Sequence, residues 1–501
     1  MNTNVAEDFD SGLILAAEEC PPEKFEQYHS FSSYDNVIIR KLMAHGPVLI
    51  RGGRGSGKSA LLIEAHRRML QAETIFSIYM SLRYLPLLQS DGAEYVGHFC
   101  GLLSKAIAQE LNRLDRPVNF EYSEDVVNLQ KSLSDLSRQL NQRIVILFDD
   151  AAHIGREKPL EAFFDLFRTL SSSLISCKAS IYPGVTKFGV RFDVFNDSTV
   201  VDISRSDVSK DDGYFLDVLG TRYPKLADRT TFSDRLTPEV FSKIMGRAVV
   251  GNMRGFILAC NRFDGADKIS IPDVNACLLA MAQDYYWPLM EEVAPKLGVY
   301  EPLIEPASSI FERIIDHLAK PLQHSFKTVA QDRVTIHKGI VSEFAKVFEI
   351  LEYLGFLAKR EASRAMKSGG RGAVYAVNLC SILEKIPTSR LTIEMIDDWI
   401  ASKPELAEIH ISGGLFSMIE IPELPADHVL GILDKDIETL RKSRAYPYGL
   451  TADKIARLKQ AGISTIQNLW DTTDATLQNI EGIGPSAIKR MRDVMQQAIW
   501  M

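Results

Sequence analysis

The sequence predicts an α/β protein built on a parallel sheet covered by helices, and three observations predict it. Five short apolar, β-branched segments stand at 48–51, 75–80, 144–148, 179–182 and 199–203. Helix-length stretches separate them, as the crossovers of a parallel sheet require. A glycine-rich loop lies between the first segment and the apolar run that follows it.

In chain order, residues 1–35 are polar and acidic and read as a loose leader. Residues 36–205 carry the five strand candidates. Residues 206–300 are helical in pattern. One helix starts at Thr237-Pro238, a cap residue with proline at the first helical position, and 253–263 repeats the helical spacing. Residues 303–390 begin with an amphipathic helix (Ile310, Ile314, Ile315, Leu318). They continue with a helix through Phe344, Val347, Leu351 and Leu354, and end in two strands around Ser368-Gly369-Gly370-Arg371-Gly372. Residues 391–440 are mixed and form a connector without an assigned fold. A helical, basic tail occupies 445–501.

At 501 residues and 46% hydrophobic content the chain can bury several cores and is no disordered polymer. It contains no apolar run long enough for a membrane span and begins with no secretory signal, so a cytoplasmic protein with no membrane partner is expected. The six cysteines include no CxxC pair, which fits free thiols in a reducing compartment. The net charge is −8, so any nucleic-acid surface must be a local basic patch. The segment 441–501 holds nine basic and five acidic residues, a net +4 on an otherwise acidic body.

Gly52-Gly53-Arg54-Gly55-Ser56-Gly57-Lys58-Ser59 fits GxxxxGK[ST] in the strand–loop–helix setting that phosphate binding needs. Glycines let backbone N–H groups converge on phosphate oxygens, and the helix N-terminus adds partial positive charge. Lys58 is placed to reach the β- and γ-phosphates and Ser59 to ligate Mg²⁺. Five apolar residues, Ile144 to Phe148, run into Asp149-Asp150. A buried strand ending in carboxylates delivers Asp149 as a metal ligand and Asp150 as the base or water-orienting group. Where most such ATPases have Glu, Asp150 reaches roughly 1.3 Å less, which leaves slow hydrolysis open. His153 is a weaker candidate γ-phosphate sensor.

With these motifs the chain resembles the AAA+ family of P-loop ATPases. Gly251-Asn252-Met253-Arg254 resembles the sensor-2 motif of the origin-recognition and replication-initiator branch. The resemblance implies an α/β fold: an AAA+ P-loop parallel sheet of ASCE type with a helical lid, then winged-helix and all-α helix-hairpin-helix domains. It implies ATP and Mg²⁺ as cofactors, Arg254 on the terminal phosphates, and a homo-oligomer through ATP interfaces. It also implies an arginine finger, for which Arg191 is best placed and Lys187 and Arg205 compete. The sensor-1 position at the end of the fourth strand has no clear Asn or Thr, with Thr186 a weak candidate.

The 303–390 region resembles a winged-helix domain whose wing carries Lys359, Arg360, Arg364, Lys367 and Arg371 against Glu361. Arg364, Lys367 and Arg371 are the candidate DNA contacts of its tip. The tail resembles paired helix-hairpin-helix units, similar to the C-terminal domain of the RNA polymerase alpha subunit. There Gly482-Ile483-Gly484 suits close approach to a phosphate, with Lys489 and Arg490 adding charge. The expected function is an ATP-controlled ATPase that binds duplex DNA as an initiator, loader or mobile-element or defence protein, with a separate effector or helicase as a further partner. The alternative is a STAND-like signalling ATPase of antiviral defence that activates a separate effector protein.

Overall fold

The computed structural model describes residues 14–82, 92–114, 118–152, 157–185, 188, 191–203, 213–233, 235–319, 330–401, 406–424, 431–443, 446 and 449–500. The chain divides into two compact units. Among the described residues the first runs through Trp287 except for Glu157 and resumes from Ala307 to Ile419; the second holds Glu157, Pro288–Pro306 and the chain from Glu420 onward.

In the first unit the five strand candidates all form strands. They are β1 (Val48–Arg51), β2 (Ile75–Ser81), β3 (Arg143–Ala152), β4 (Ile175–Ile181) and β5 (Thr199–Asp202). All pair in parallel, in the order β2-β3-β4-β1-β5. Both faces are covered, which explains why β4 is buried along its whole length. One face packs Phe99, Phe148, Phe163 and Phe167 beneath flanking helices. The other packs Ile38, Leu42, Leu61 and Leu62. β4 starts four residues earlier than its apolar pattern predicts, because Ser176 and Lys178 are buried within it. The Lys178 ammonium is satisfied by the carbonyl of Ala44 at 2.7 Å and by that of Gly46.

The described part of the leader is not loose. Cys20 and Phe25 pack against Ala60 of the helix Lys58–Leu70, and Arg222 donates to the Ile14 carbonyl. Ser32 and Asp35 form a reciprocal capping box at the start of Ser33–Met43.

The lid includes the helix Pro238–Ala248, capped by Thr237 as its sequence predicts, and Met253–Asn261. A second sheet follows, in the order β7-β8-β6-β9. It contains β6 (Arg333–His337), the wing strands β7 (Leu357–Ala365) and β8 (Arg371–Val377), and β9 (Ala407–Ile409). The helices Lys338–Glu343 and Ala345–Leu354 stand between β6 and β7, the succession of a winged helix. β9 and the helix Ile393–Trp399 lie in the stretch that had no assignment from sequence. Three strand residues are too few to leave a period-2 signal.

In the second unit, four helices occupy 452–500: Ala452–Gln460, Ile466–Asp471, Asp474–Gln478 and Pro485–Trp500. Their core contains Leu458, Leu469, Leu477 and Met491.

Candidate nucleotide site

The order of the strands explains why three sequence-distant segments meet. β4 lies between β1 and β3, and adjacent strands are roughly 4.8 Å apart. The glycine loop leaves the C-terminal end of β1, the acids stand near that of β3, and Ser180-Ile181-Tyr182 lies between them. The carboxyl end of a parallel sheet is where such folds bind ligands.

The loop continues the ladder of β1, with Gly52 N donating to the Ile181 carbonyl at 3.3 Å. It turns through Gly55 (φ +78°) and Gly57 (φ +87°), a backbone that other residues rarely adopt. Lys58 begins the helix and is buried. Its ammonium donates to the carbonyls of Gly52 (2.8 Å) and Gly53 (3.1 Å) and lies 3.7 Å from the centre of the Tyr182 ring. Burial pulls its pKa down to about 7, against the opposing pull of Asp150 and Asp149.

On the other side, β3 bulges. Phe148 pairs with Ala179 and Ala152 with Ile181, so Asp149, Asp150 and Ala151 face the single residue Ser180. Ser180 Oγ donates to Asp149 Oδ1 at 2.7 Å and accepts from Asp150 N at 3.0 Å. Tyr79 Oη donates to the other Asp149 oxygen at 2.9 Å, and the Ser59 hydroxyl bonds the same carboxylate. Asp149 is fully buried, which raises its pKa, as does Asp150; these hydrogen bonds lower it. Asp150 adopts φ +50°, and its carboxylate accepts from Tyr182 Oη at 3.2 Å.

The lid reaches the loop from above. Asn252 Nδ2 donates to the Arg54 carbonyl at 2.6 Å, and Arg254 N donates to the Gly55 carbonyl at 3.2 Å. The Gly-Asn of the Gly251–Arg254 motif has a local cause. Val250 and Gly251 take φ +48° and +78° in succession, and Asn252 Oδ1 caps the next helix at Gly255 N, 3.0 Å away. A Cβ on Gly55 would stand 2.5 Å from Asn252 Oδ1 and 2.7 Å from Arg254 Cβ. Loop and lid therefore approach as closely as backbone allows.

Two buried polar atoms here, Ser56 Oγ and Arg254 Nε, have no hydrogen-bond partner among the described residues. A buried donor left unmade is costly, and a polyphosphate oxygen is a fitting acceptor for both. Ser59 with the Asp149 carboxylate suits Mg²⁺, which takes few protein ligands and completes its shell with phosphate and water.

Of the predicted site residues, Gly52, Gly53, Arg54, Gly55, Ser56, Gly57, Lys58, Ser59, Asp149, Asp150 and Arg254 thus come together around one cleft. Arg191 is exposed and precedes the short helix Val194–Asp197 and β5. Thr186, Lys187, Arg205 and His153 lie outside the described residues. Tyr79, Ser180, Tyr182, Asn252 and Glu18 were not among the predicted site residues. Ser180 and Tyr182 had a signal: they alternate along a strand beside the loop strand. Glu18 had none. Exposed on one side, it has its carboxyl pushed up to about 7, first by lost hydration and next by Asp149.

At the wing, Arg364, Lys367 and Arg371 are exposed. Arg364 pairs with Glu361 at 2.8 Å, and Arg371 bonds Ser363 Oγ at 2.7 Å. Glu408 ties down the tip by accepting from the backbone N of Lys367 (2.7 Å) and Ser368 (3.0 Å). Lys359 is paired with Glu352 at 3.2 Å and Arg360 donates to the Val250 carbonyl at 3.2 Å, so neither is free. In the second unit, Gly482 takes φ +80° and Gly484 opens onto free space. Arg457 steadies this turn by donating to the Glu481 carbonyl at 2.8 Å. Ile483 is buried, whereas Lys489 and Arg490 are exposed with no acid partner among the described residues.

No protein-family model matches the chain, and no curated protein does. Among solved structures it is similar to the Aeropyrum pernix ORC1 protein in complex with DNA. The identity is 13%, the TM-score 0.32, and the match covers 76% of this chain and 96% of that one. Cdc6p from Pyrobaculum aerophilum matches at 14% identity and TM-score 0.32, over 78% and 99% of the two chains. Drosophila ORC bound to DNA matches at 12% and 0.33, over 78% and 94%. The fold is defined by the strand order and by the loop, acids and lid that it brings together. The architecture of the described residues is an α/β fold, a parallel P-loop sheet with a helical lid followed by a winged-helix sheet.

Proposed function

We propose that the chain binds ATP with Mg²⁺ at this cleft and uses the bound state to control how it holds duplex DNA. One observation carries the reading: Lys58, Ser59 with Asp149, and the lid's Arg254 converge where two buried polar atoms lack partners. Lys58 would exchange two carbonyls for phosphate oxygens, a stronger charge-assisted bond. Arg254 would bring a fixed charge and forked donors to the terminal phosphates. Bound Mg²⁺ supplies neutralisation of charge on the β- and γ-phosphates. Asp150 would orient the attacking water, with hydrolysis limited by its short side chain. Arg191, exposed, suits action on the site of a neighbouring copy.

Duplex DNA would meet the wing through Arg364, Lys367 and Arg371, and the hairpin through Gly482, Ile483, Gly484, Lys489 and Arg490. These are backbone contacts that position without reading bases. The test is calorimetry with Mg²⁺–ATP on wild type and Lys58→Ala, paired with DNA titrations at several salt concentrations. Binding by wild type, its loss in the variant and an ATP effect on DNA affinity are expected. Absence of ATP uptake by folded protein would overturn the reading.

The second reading, a signalling switch with a separate effector, is favoured by one feature. The helix Ala345–Leu354 is seated on the phosphate loop, with Arg54 N donating to the Tyr353 carbonyl at 2.8 Å. Unchanged DNA affinity after removal of the wing charges and of 445–501 would select it.

A further inference from the structure

The end of the winged-domain helix Ala345–Leu354 is built into the wall of the nucleotide cleft. Besides the bond from Arg54 N to the Tyr353 carbonyl, a Cβ on Gly53 would lie 2.6 Å from the Glu352 carbonyl oxygen. Only glycine admits that approach. Lys346 donates to the Gly184 carbonyl at 2.8 Å, just beyond β4. Between these contacts stands Tyr182, buried, its ring edge-to-face with the Tyr353 ring at 5.0 Å and under the Lys58 ammonium at 3.7 Å. Its hydroxyl reaches Asp150. One side chain thus touches the loop lysine, the second acid and the winged-helix domain.

We propose that Tyr182 is a positioning residue that relays the occupancy of the phosphate loop to the winged-helix domain through Tyr353. The inference rests on the nucleotide reading above and adds the route of coupling to it. While the Lys58 ammonium donates to Gly52 and Gly53, it holds the Tyr182 ring by a cation–π interaction. When the ammonium turns to a phosphate, it leaves the ring, and the ring re-packs against Tyr353. The hydroxyl meanwhile donates to the Asp150 carboxylate and orients it. The relay has two separable parts: the ring carries the coupling, and the hydroxyl orients the acid.

The experiment uses the full chain and a non-hydrolysable ATP analogue with Mg²⁺, so its readouts do not depend on turnover. Calorimetry gives analogue affinity, and amide hydrogen exchange follows residues 345–357 with and without analogue. In wild type, analogue is expected to change exchange in this segment severalfold. Tyr182→Phe keeps the ring and should keep the response. Tyr353→Ala should bind analogue within about threefold of wild type, the range of a site whose phosphate ligands are intact, yet lose the response, and Tyr182→Ala, compared at saturating analogue whatever its affinity, should lose it too. A merely structural ring would instead raise exchange equally with and without analogue while leaving the ratio unchanged, and that result would overturn the relay. So would a full response in both alanine variants. Failure of wild type to bind the analogue would overturn the nucleotide reading and the relay together, whereas binding without any response in 345–357 sinks the relay alone.

Discussion

At Asp150 the backbone chooses the side chain. The bulge in β3 puts this residue at φ +50°, a region in which Asp and Asn are several-fold enriched over other non-glycine residues. The shorter acid is therefore a consequence of local geometry, and Asp150→Glu should lower stability by about 1 kcal/mol, read as a shift of the denaturant midpoint. Lys58 is the residue whose loss should matter most to binding. Lys58→Ala should weaken Mg²⁺–ATP by about 100-fold or more, the scale of losing charge-assisted hydrogen bonds, with an unchanged far-ultraviolet spectrum. Glu18 sets a pH dependence. Its pKa is raised from the unfolded value of 4.5 to about 7, so the folded chain favours the neutral carboxyl. Below about pH 4.5 it costs nothing; as pH rises toward 7 and beyond, its negative charge faces Asp149 and any triphosphate. Glu18→Gln should match wild type in ATP affinity at pH 6 and bind severalfold more tightly at pH 8.5. Equal affinities across that range would show that Glu18 does not face the ligand.

At the scale of elements, the phosphate loop is held by both lid and winged helix. Gly55→Ala would force a Cβ into Asn252 and Arg254 at a left-handed backbone position. It should cost about 1–2 kcal/mol and reduce ATP binding with it. The wing should act differently. Replacing Arg364, Lys367 and Arg371 with alanine should leave ATP affinity alone while lowering the salt slope of DNA binding by about 3, one for each phosphate no longer neutralised. The loop, its helix and the acid-tipped strand were legible because each is contiguous and each carries its chemistry within a few residues. The lid helix was legible from Thr237-Pro238. Tyr182 was legible only as a strand residue, because its contacts with positions 58, 150 and 353 are assembled by the fold alone. The docked part of the leader was not legible, because there Cys20 and Phe25 are apolar residues scattered through an acidic run.

Across the whole molecule, sheet, lid and winged helix belong to one compact unit, and the basic tail to another. Deleting 445–501 should weaken DNA binding without altering ATP affinity, a result that native electrophoresis and calorimetry would register separately. The packed state of the helix Ala345–Leu354 has a consequence for what the protein can discriminate. Its apolar residues are buried, its polar face carries Glu349 and Glu352, and its lysine, Lys346, is engaged by Glu349 and the Gly184 carbonyl, so it offers base edges little room and a donor that is already committed. In this conformation a duplex would be gripped by its phosphates alone. Scrambled oligonucleotides should then compete as well as any genomic fragment, and a preference among targets, if one is measured, would have to reside in the bendability of the duplex rather than in its letters.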